Sequence, residues 1–288
     1  MLSKIFLYII KYKWQFFILI LFLFFWNSLS FPLFNDSTST VILTEKGELL
    51  AARIADDGQW RFPQSDSVPE KFQTAIKYFE DEYFNYHFGV NPVSFFRALK
   101  QNISAGNVVS GASTLTMQTI RLSRKGQYRT YTEKLIEIIL AVRLELTKSK
   151  KSIMNLYASN APYGGNVVGL DAASWRYYKR SSHQLSWGET AALAVLPNAP
   201  SLIFPGKNHH LLLQKRNRLL QKLMENKEID SLTCELAKLE PLPGSPHALP
   251  QITPHLLNRL IKKGHKGEIC KVSINKELQI KLNTIVDI

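Results

Sequence analysis

An uncharged, apolar segment near the N-terminus restricts what this chain can fold into more than any other feature of its sequence. The 21 residues Trp14–Phe34 include no Asp, Glu, Lys or Arg, and about 20 such residues cross the hydrocarbon core of a bilayer as a helix. Lys4, Lys11 and Lys13 precede the segment, whereas the next Lys or Arg is Lys46. Since basic residues stay on the cytoplasmic side, the sequence predicts a single-pass transmembrane anchor after a cytoplasmic N-terminus of residues 1–13.

A cleaved signal peptide is the alternative interpretation of this segment. The apolar region of a signal peptide is usually shorter, and a small-x-small cleavage site follows it. The residues NSLSFPLF offer no good Ala-x-Ala site, so we favour a permanent anchor in the cytoplasmic (inner) membrane, with residues 35–288 on the periplasmic side. The net charge of +13 then predicts an anionic membrane surface or a phosphate-bearing substrate as the partner, and no nucleic acid.

Beyond the anchor, the sequence predicts a short β-hairpin and then a mainly helical domain. The stretch VILTEKGELLAARI reads as two strands with Lys46 and Gly47 in the turn between them. Strands and helices do not alternate after residue 60, which argues against a doubly wound α/β fold. Apolar residues recur at helical spacing instead. We predict a helix that ends at the acids Glu80, Asp81 and Glu82, and further helices over residues 92–104, 113–122, 131–147, 151–160, 170–178, 187–196, 210–225 and 231–239.

The C-terminal part of the chain has a different composition. Residues 241–254 contain five prolines and are predicted to form a linker, and the residues from Cys270 onward are predicted to form a strand followed by a helix. Cys234 and Cys270 would lie in an oxidising compartment, where they could pair. Two cysteines alone do not establish a disulfide, however, and neither has the spacing of a metal ligand.

Two stretches carry polar residues suited to chemistry at the start of the helical region. In EDEYFNYHFG, three acids lie among aromatic residues, and desolvation by such rings favours proton uptake by a carboxylate. The alternative is a helix end with solvated acids.

In SGASTLTMQ, which begins at Ser110, small residues permit close backbone approach, and hydroxyl and amide groups supply uncharged donors. The alternative there is an ordinary capped helix start.

Two further stretches follow along the chain. In EKLIEIILAVRLE, Glu137 interrupts an apolar run, and Lys134 lies three residues earlier on the same helical face. Glu137 could therefore be a partly buried site group or one member of a solvated stripe. In IMNLYASNAPYGG, a helix leads into a glycine-containing loop, which could equally be a simple helix stop.

Taken in order, the four stretches resemble the motifs of the family-51 glycosyltransferases, the peptidoglycan polymerase domains of class A penicillin-binding proteins. The resemblance covers roughly residues 40–225. The first motif, E-D-x-x-F-x-x-H-x-G, is filled completely, and the second, small-small-S-T-L-T-x-Q, is also matched. The matching residues are Glu80, Asp81, Phe84, His87 and Gly89 in the first motif, and Gly111, Ala112, Ser113, Thr114, Leu115, Thr116 and Gln118 in the second.

The third and fourth motifs depart from the family pattern at one position each. The third motif, R-K-x-x-E, keeps Lys134 and Glu137 but has Glu133 where Arg is usual. The fourth motif, I-x-E-L-Y-x-N, has Asn155 where Glu is usual. The residues that agree with the fourth motif are Ile153, Leu156, Tyr157 and Asn160.

The resemblance implies an all-α, lysozyme-like glycosyltransferase domain over residues 62–240, preceded by the hairpin and linker of residues 35–61. It implies a reaction in which lipid II is polymerised into β-1,4-linked glycan strands and undecaprenyl diphosphate is released. Glu80 would be the general base, with Asp81 and Glu82 orienting its helix end, and Glu137 would be the second essential carboxylate. Substrate-binding roles would fall to Asp81, His87, Ser113, Thr114, Gln118, Lys134 and Asn160, with Arg121, Arg124 and Arg129 as further basic residues.

Cofactors and partners follow from the same resemblance. No cofactor is required, although a divalent cation, Mg²⁺ or Mn²⁺, is an optional ligand of the diphosphate, because hard cations prefer oxygen ligands. The expected partners are lipid II, the lipid-linked glycan strand, the cell membrane and other proteins of cell-wall synthesis.

Class A penicillin-binding proteins normally continue into a transpeptidase domain with an S-x-x-K motif. Ser273 and Lys276 match that pattern, but only 12 residues follow Lys276 and no K-T-G motif is present. We therefore interpret residues 241–288 as the linker and the start of a transpeptidase region, and expect no transpeptidase activity. Two alternatives to the polymerase remain open: an inactive membrane-anchored remnant or scaffold, and a lytic transglycosylase that cleaves glycan strands.

Overall fold

A computed structural model describes residues 12–107, 111–125, 127–128, 130–198 and 208–286, except for the side chains of Leu99 and Asn102. Ser110 and Arg129 lie outside the described residues. The chain divides into two compact units. The first unit comprises the chain up to Asn35 together with Tyr86–Lys150, and the second comprises Asp36–Asn85 and the chain from Lys151 onward.

Most of the described elements are helices, as the sequence predicts. In chain order the helices are α1 (Lys13–Asn27), α2 (Glu70–Glu80), α3 (Pro92–Ala105), α4 (Leu115–Ser123), α5 (Tyr131–Glu145), α6 (Lys150–Asn160), α7 (Leu170–Tyr178), α8 (Trp187–Val195), α9 (His209–Glu225), α10 (Ser231–Leu239), α11 (Pro254–Lys262) and α12 (Lys276–Val286). The strands are β1 (Thr40–Thr44), β2 (Leu49–Arg53), β3 (Trp60–Arg61), β4 (Val167–Val168) and β5 (Ile269–Val272).

Helix α1 ends before the apolar segment does. The side-chain amide of Asn27 donates to the carbonyl of Leu23 at 2.9 Å, and the hydroxyl of Ser28 donates to the carbonyl of Phe25 at 2.6 Å. The bond from Ser28 occupies the Phe25 carbonyl, which the N–H of residue 29 would use in a continuing helix, and this agrees with a helix end at Asn27. The prediction of a helix throughout residues 14–34 is therefore wrong for residues 28–34. Within the described residues, no helix is long and apolar enough to cross a membrane.

The first unit is built from α1, α3, α4 and α5. Polar side chains cap the starts of three of these helices: Asn91 accepts from the backbone of α3, Thr114 from that of α4 and Thr130 from that of α5. Helix α4 packs against α5. The buried apolar residues of these two helices are Leu115, Met117, Ile120, Leu140, Ala141 and Leu144.

Helix α1 contacts the C-terminal end of α5 within this unit. Arg143 of α5 is buried, and its Nε and Nη2 atoms donate to the carbonyl oxygen of Trp26 at 3.0 and 2.9 Å. The same guanidinium lies 4.0 Å from the centroid of the Trp26 ring. A cation at the last carbonyls of a helix is favourable, because the helix dipole places partial negative charge there.

The second unit combines a helical core with a small sheet. Helix α8 is almost entirely buried and contacts α2, α9 and α10. Its start is fixed by the predicted capping box, in which Ser186 and Glu189 bond each other's backbone N–H groups. The buried residues along this core include Phe72, Leu193, Leu219 and Cys234.

The sheet confirms the predicted hairpin and adds a strand from the other end of the chain. Strands β1 and β2 pair antiparallel, and β5 pairs with β1 in parallel, in the order β2, β1, β5. Helix α11, which the sequence analysis does not predict, covers this sheet by packing Leu257 against Ile42 and Leu50. The predicted strand and helix near the C-terminus are confirmed as β5 and α12. Cys234 and Cys270 are both free thiols.

Candidate active site

Glu80 is the last residue of α2 and is half-buried in the second unit. Its Oε1 atom accepts a hydrogen bond from the side-chain amide of Asn198 at 3.1 Å. The amide oxygen of Asn198 in turn accepts from the ammonium group of Lys215, on α9, at 2.8 Å. Asn198 therefore connects the carboxylate and the ammonium group and holds Glu80 in one orientation.

Asn198 and Lys215 were not identified by the sequence analysis. The pKa of Lys215 is lowered because burial disfavours its charged form, and the Glu80 carboxylate opposes this change. Lys215 thus acts electrostatically on Glu80 although Asn198 lies between them. Nothing in the local spacing links these residues to Glu80, which lies 118 positions before Asn198.

The two other acids of the triplet have different environments. Asp81 is buried, and its backbone N–H donates to the carbonyl of Lys77 at 2.8 Å, so it closes the last turn of α2. Glu82 is exposed and pairs with Lys222 of α9 at 2.7 Å. Lys222 also donates to the carbonyl of Tyr78 at 2.8 Å, near the negative end of the helix dipole. These contacts agree with the role of orienting the helix end that was expected for Asp81 and Glu82.

In the first unit, residues of the first two motifs are joined by direct bonds. The hydroxyl of Thr114 donates to the carbonyl of Gly89 at 2.6 Å and accepts from the backbone of Met117 at 3.1 Å. Gly89 has a φ of +82°, and an added Cβ atom would lie 2.7 Å from the carbonyl carbon of Ala141 in α5. Glycine is therefore required at this position for both its backbone angle and its small size.

A partly buried ion pair, which the sequence analysis does not predict, connects the same two motifs. The ammonium group of Lys150 donates to the carbonyl of His87 at 2.6 Å and to Oε1 of Glu145 at 2.7 Å. The hydroxyl of Thr116 donates to the same Glu145 oxygen at 2.5 Å. His87, Thr116 and the Glu145 side chain are all buried, so this network fixes the backbone around His87.

Helix α5 carries Glu137 and Lys134 as the sequence predicts. Glu137 is buried and Lys134 is half-buried one turn earlier. Arg124 donates from Nε to Oε1 of Glu133 at 2.5 Å and from Nη2 to Oε2 at 3.0 Å. These hydrogen bonds raise the pKa of Arg124, and the charges of Glu133 and Glu137 add to the effect. Arg124 therefore lies within the electrostatic reach of both acids.

The other predicted site residues are distributed over both units. Gln118 is buried in α4, Arg121 is half-buried in the last turn of α4, and Ser113 is half-buried just before that helix. In the second unit, Asn160 ends α6 and donates to the carbonyl of Leu156 at 2.9 Å. The substrate-binding roles of these residues stay predictions.

The departure in the fourth motif has a structural consequence. Asn155 is buried, and its amide nitrogen lies 3.3 Å from the carbonyl oxygens of both Ser65 and Asp66. An amide can donate to these carbonyls, whereas an ionised Glu can only accept. Asn at this position therefore connects α6 to residues 65–66.

The fit of a divalent cation depends on how many ligands the protein offers. Within the described residues, neither Glu80 nor Glu137 belongs to a group of three His, Cys, Asp or Glu side chains close enough to hold a metal ion. Glu133, the nearest acid along α5, is bonded to Arg124. Among the described residues, Glu80 and Glu137 therefore do not provide the set of side-chain ligands that a divalent cation at the diphosphate would need.

The described residues define a mainly helical protein. The chain belongs to the transglycosylase family, whose model matches residues 46–224. This match confirms the family resemblance of the four motifs and spans all of them.

Relatives that are 34% identical in sequence agree with this assignment. Penicillin-binding protein 1C of Escherichia coli is 34% identical over 256 residues, which cover 88% of this chain and 33% of that protein. A putative transglycosylase of Cupriavidus necator is 34% identical over 175 residues, which cover 61% of this chain and 75% of the relative. The crystal structure of penicillin-binding protein 1A from Haemophilus influenzae has a TM-score of 0.41 and 16% identity, covering 87% of this chain and 29% of that one.

The chain spans about a third of the length of penicillin-binding protein 1C of Escherichia coli.

Proposed function

We propose that this protein is a peptidoglycan glycosyltransferase that polymerises lipid II into β-1,4-linked glycan strands. The observation that carries the proposal is that Glu80 ends a helix within the matched family region with its carboxylate held by Asn198. A general base must be ionised and fixed in direction when its substrate binds. The hydrogen bond from the Asn198 amide favours a fixed direction of the carboxylate.

In the proposed reaction, Glu80 takes the proton from the 4-hydroxyl of the acceptor sugar. The hydroxyl oxygen then forms a bond to the anomeric carbon of the donor strand, and the bond from that carbon to the diphosphate oxygen breaks. The configuration at the anomeric carbon inverts, which gives a β-linkage. The electron pair of the broken bond leaves with undecaprenyl diphosphate.

The departing diphosphate gains negative charge, which positively charged groups stabilise. Lys134 is our candidate for direct contact, because it is half-buried and lies one turn before Glu137 on the same helix. Glu137 is proposed to orient Lys134. Ser113, Thr114, Gln118, Arg121 and His87 are proposed to line the substrate site in the first unit, and Asp81 and Asn160 in the second.

We further propose a lysozyme-like arrangement of the helical domain and a membrane location, with the N-terminus in the cytoplasm and residues from Asn35 onward outside. The first unit supports this location, because α3 and α5 expose large apolar side chains and α5 contacts the apolar helix α1. An exposed apolar surface of this kind marks an interaction with a membrane or a partner. The exposed apolar residues are Val93, Phe95, Phe96 and Ile103 on α3, and Leu135, Ile136 and Ile139 on α5.

The proposal is tested by incubating the purified, detergent-solubilised chain with labelled lipid II and, separately, with preformed glycan strands. We expect polymer from lipid II and no cleavage of added strands. Glu80→Gln should reduce polymerisation by about 10²–10⁴-fold, the usual contribution of general-base catalysis. Glu82→Gln is the matched control, since it removes an exposed acid two residues away, and it should retain activity.

Two outcomes would contradict the proposal. Cleavage of glycan strands without polymer would identify a lytic transglycosylase, and the absence of both activities in a folded protein would favour the inactive scaffold. Full activity of a folded Glu80→Gln variant would leave the reaction in place but assign the base to Glu137 or Asp81.

A further inference from the structure

A cluster of three potential metal ligands lies at the beginning of β5, separate from every residue assigned to the reaction. The ligand atoms of His265, Glu268 and Cys270 all lie within 4.8 Å of one another. Nδ1 of His265 is 2.9 Å from Oε2 of Glu268. Glu268 and Cys270 are two residues apart where the chain enters a strand, so their side chains point to the same face.

The backbone that carries these side chains is held in place from both sides. The N–H of Gly267 donates to the hydroxyl of Thr40 at 2.9 Å, and its carbonyl accepts from the hydroxyl of Thr38 at 2.6 Å. The carbonyl of Glu268 accepts from the N–H of Val41 at 2.9 Å. The three ligands are therefore brought together by the sheet, and binding an ion costs less ordering of the chain than it would on a free loop.

The charge around the cluster suits a divalent cation. Glu268 supplies one negative charge, and a bound Cys270 thiolate would supply a second. Lys266 lies within the same segment, but its ammonium group is paired with Asp56 at 2.8 Å. The positive charge of Lys266 is thus balanced by Asp56, a carboxylate outside the cluster.

The donor set of nitrogen, oxygen and sulfur limits the kind of metal. Ca²⁺ and Mg²⁺ take oxygen ligands almost exclusively, whereas Zn²⁺ binds imidazole, carboxylate and thiolate with bond lengths of about 2.0–2.3 Å. Ligand atoms around a tetrahedral ion of that size are roughly 3.3–3.7 Å apart, so small side-chain movements close the site. His265 and Glu268 are exposed and Cys270 is half-buried, so an ion has access from solvent.

We propose that His265, Glu268 and Cys270 form a three-ligand site for Zn²⁺ or a similar borderline transition metal, with water in the fourth position. The bound ion joins the turn before β5 to the strand itself and so stabilises the attachment of β5 to β1. This site is independent of the proposed glycosyltransferase reaction.

The experiment uses the full chain, purified without a polyhistidine tag and titrated with Co²⁺ as a spectroscopic substitute for zinc. Binding should produce a thiolate-to-cobalt charge-transfer band, and added Zn²⁺ should displace it. Cys270→Ser should abolish the band. His265→Gln keeps the thiol, so the band should form only at a Co²⁺ concentration at least about tenfold higher. Circular dichroism checks that each variant is folded.

Two matched variants control for the chemistry outside the cluster. Cys234→Ser removes the other thiol, which is buried in α10, and Glu277→Gln removes an exposed carboxylate of α12. Both should bind Co²⁺ as the unaltered chain does. The proposal is overturned if the unaltered chain gives no charge-transfer band, if the band persists in folded Cys270→Ser, or if His265→Gln leaves the affinity unchanged.

Discussion

Arg124 and Glu133 form a two-point ion pair between the residue after α4 and the first turn of α5. Glu133 occupies the position where the third motif of the family usually has Arg. The guanidinium of Arg124 is bonded to both carboxylate oxygens of Glu133. The negative charge that Glu133 places beside Lys134 is therefore balanced by Arg124. The departure from the motif changes the local ion pairing, and Lys134 and Glu137 keep their places on α5.

Lys134 and Glu133 should therefore differ sharply when each is replaced by Ala. Loss of a group that stabilises charge in the transition state typically costs about 10²–10³-fold in rate, so Lys134→Ala should reduce the turnover of lipid II by that order. Glu133→Ala should reduce it by less than about tenfold, because it removes only the partner of Arg124. The measurement is the steady-state rate of polymerisation for both variants. Equal losses would show that Lys134 does not face the diphosphate.

The Arg124–Glu133 pair should also make stability depend on pH. The hydrogen bonds from Arg124 lower the pKa of Glu133 from its ordinary value of 4.5. A carboxylate with a lowered pKa in the folded state stabilises the fold above its unfolded pKa and loses that contribution as the pH falls through the folded value. Glu133→Gln should therefore be less stable than the unaltered chain above about pH 4.5, and the difference should shrink at lower pH.

Urea unfolding at a series of pH values measures this difference directly, since the other titrating groups are common to both proteins. The quantity to compare is the difference in free energy of unfolding between Glu133→Gln and the unaltered chain. If this difference is the same at pH 3 and pH 7, to within roughly the error of extrapolation, the ion pair does not titrate as the contact predicts.

Much of the fold follows from local patterns in the sequence. Ser186 and Glu189 predict the start of α8, and Lys46 and Gly47 lie in the turn region of the hairpin formed by β1 and β2. The placement of β5 could not be predicted in this way, because Val41 and Ile269 are brought together by pairing across the whole chain. Helix α11 was missed because the prolines before it favour a linker, although Pro254 is itself a good first residue of a helix.

Some residues of the candidate site can likewise be predicted from local sequence patterns, whereas others depend on the tertiary fold. Glu80, Glu137 and Lys134 are recognisable from motif spacing, because each motif lies on one helix or one turn. Lys215 and Asn198 are not, since Asn198 meets Glu80 only through the tertiary fold, and Lys215 reaches Asn198 only because α9 packs beside α2. The length of α1 also escaped prediction, because it depends on side-chain bonds that hydropathy does not include.

Gly89 should be among the least replaceable residues of the first unit. Its φ of +82° is strained for other residues, and a Cβ atom would collide with backbone atoms of Ala141. Gly106 is a matched control, because its φ is +66° but nothing lies within 4 Å of an added Cβ. We expect Gly106→Ala to cost about 1–2 kcal/mol and Gly89→Ala about 2–5 kcal/mol.

The measurement is the free energy of unfolding of each glycine variant relative to the unaltered chain. Both variants carry the backbone strain but only Gly89→Ala carries the collision, so the difference between them measures the collision. Equal losses would mean that α5 moves away from Gly89 without cost, and that the close approach does not constrain the first motif.

The proposed membrane topology predicts opposite results for reporters at two positions. A reporter enzyme that is active only in the cytoplasm should be active when fused after Lys13 and inactive when fused after Ile288. The reason is that basic residues precede the apolar segment and none follows until Lys46. Activity at both positions would contradict a single crossing. The proposed reaction with a membrane-bound substrate outside the cytoplasm would then be contradicted as well.

The last prediction concerns the two residues that hold the proposed base. Asn198 donates to Glu80 at 3.1 Å and accepts from Lys215 at 2.8 Å. Asn198→Ala removes both bonds, so the carboxylate loses the hydrogen bond that orients it. We expect kcat to fall by about tenfold to a hundredfold with little change in KM, because the loss is felt when the proton is transferred.

Lys215→Met keeps most of the side-chain volume of Lys215 but cannot donate to Asn198. Its kcat should fall with little change in KM, because Asn198 is then held less firmly against Glu80. Lys215→Arg can still donate to Asn198 and should restore most of kcat. Glu80→Gln separates this prediction from the proposed function itself, since it should abolish most activity whether or not Lys215 and Asn198 position the base. An unchanged kcat in a folded Lys215→Met variant, or no rescue by Lys215→Arg, would show that Lys215 does not position Asn198 during the reaction.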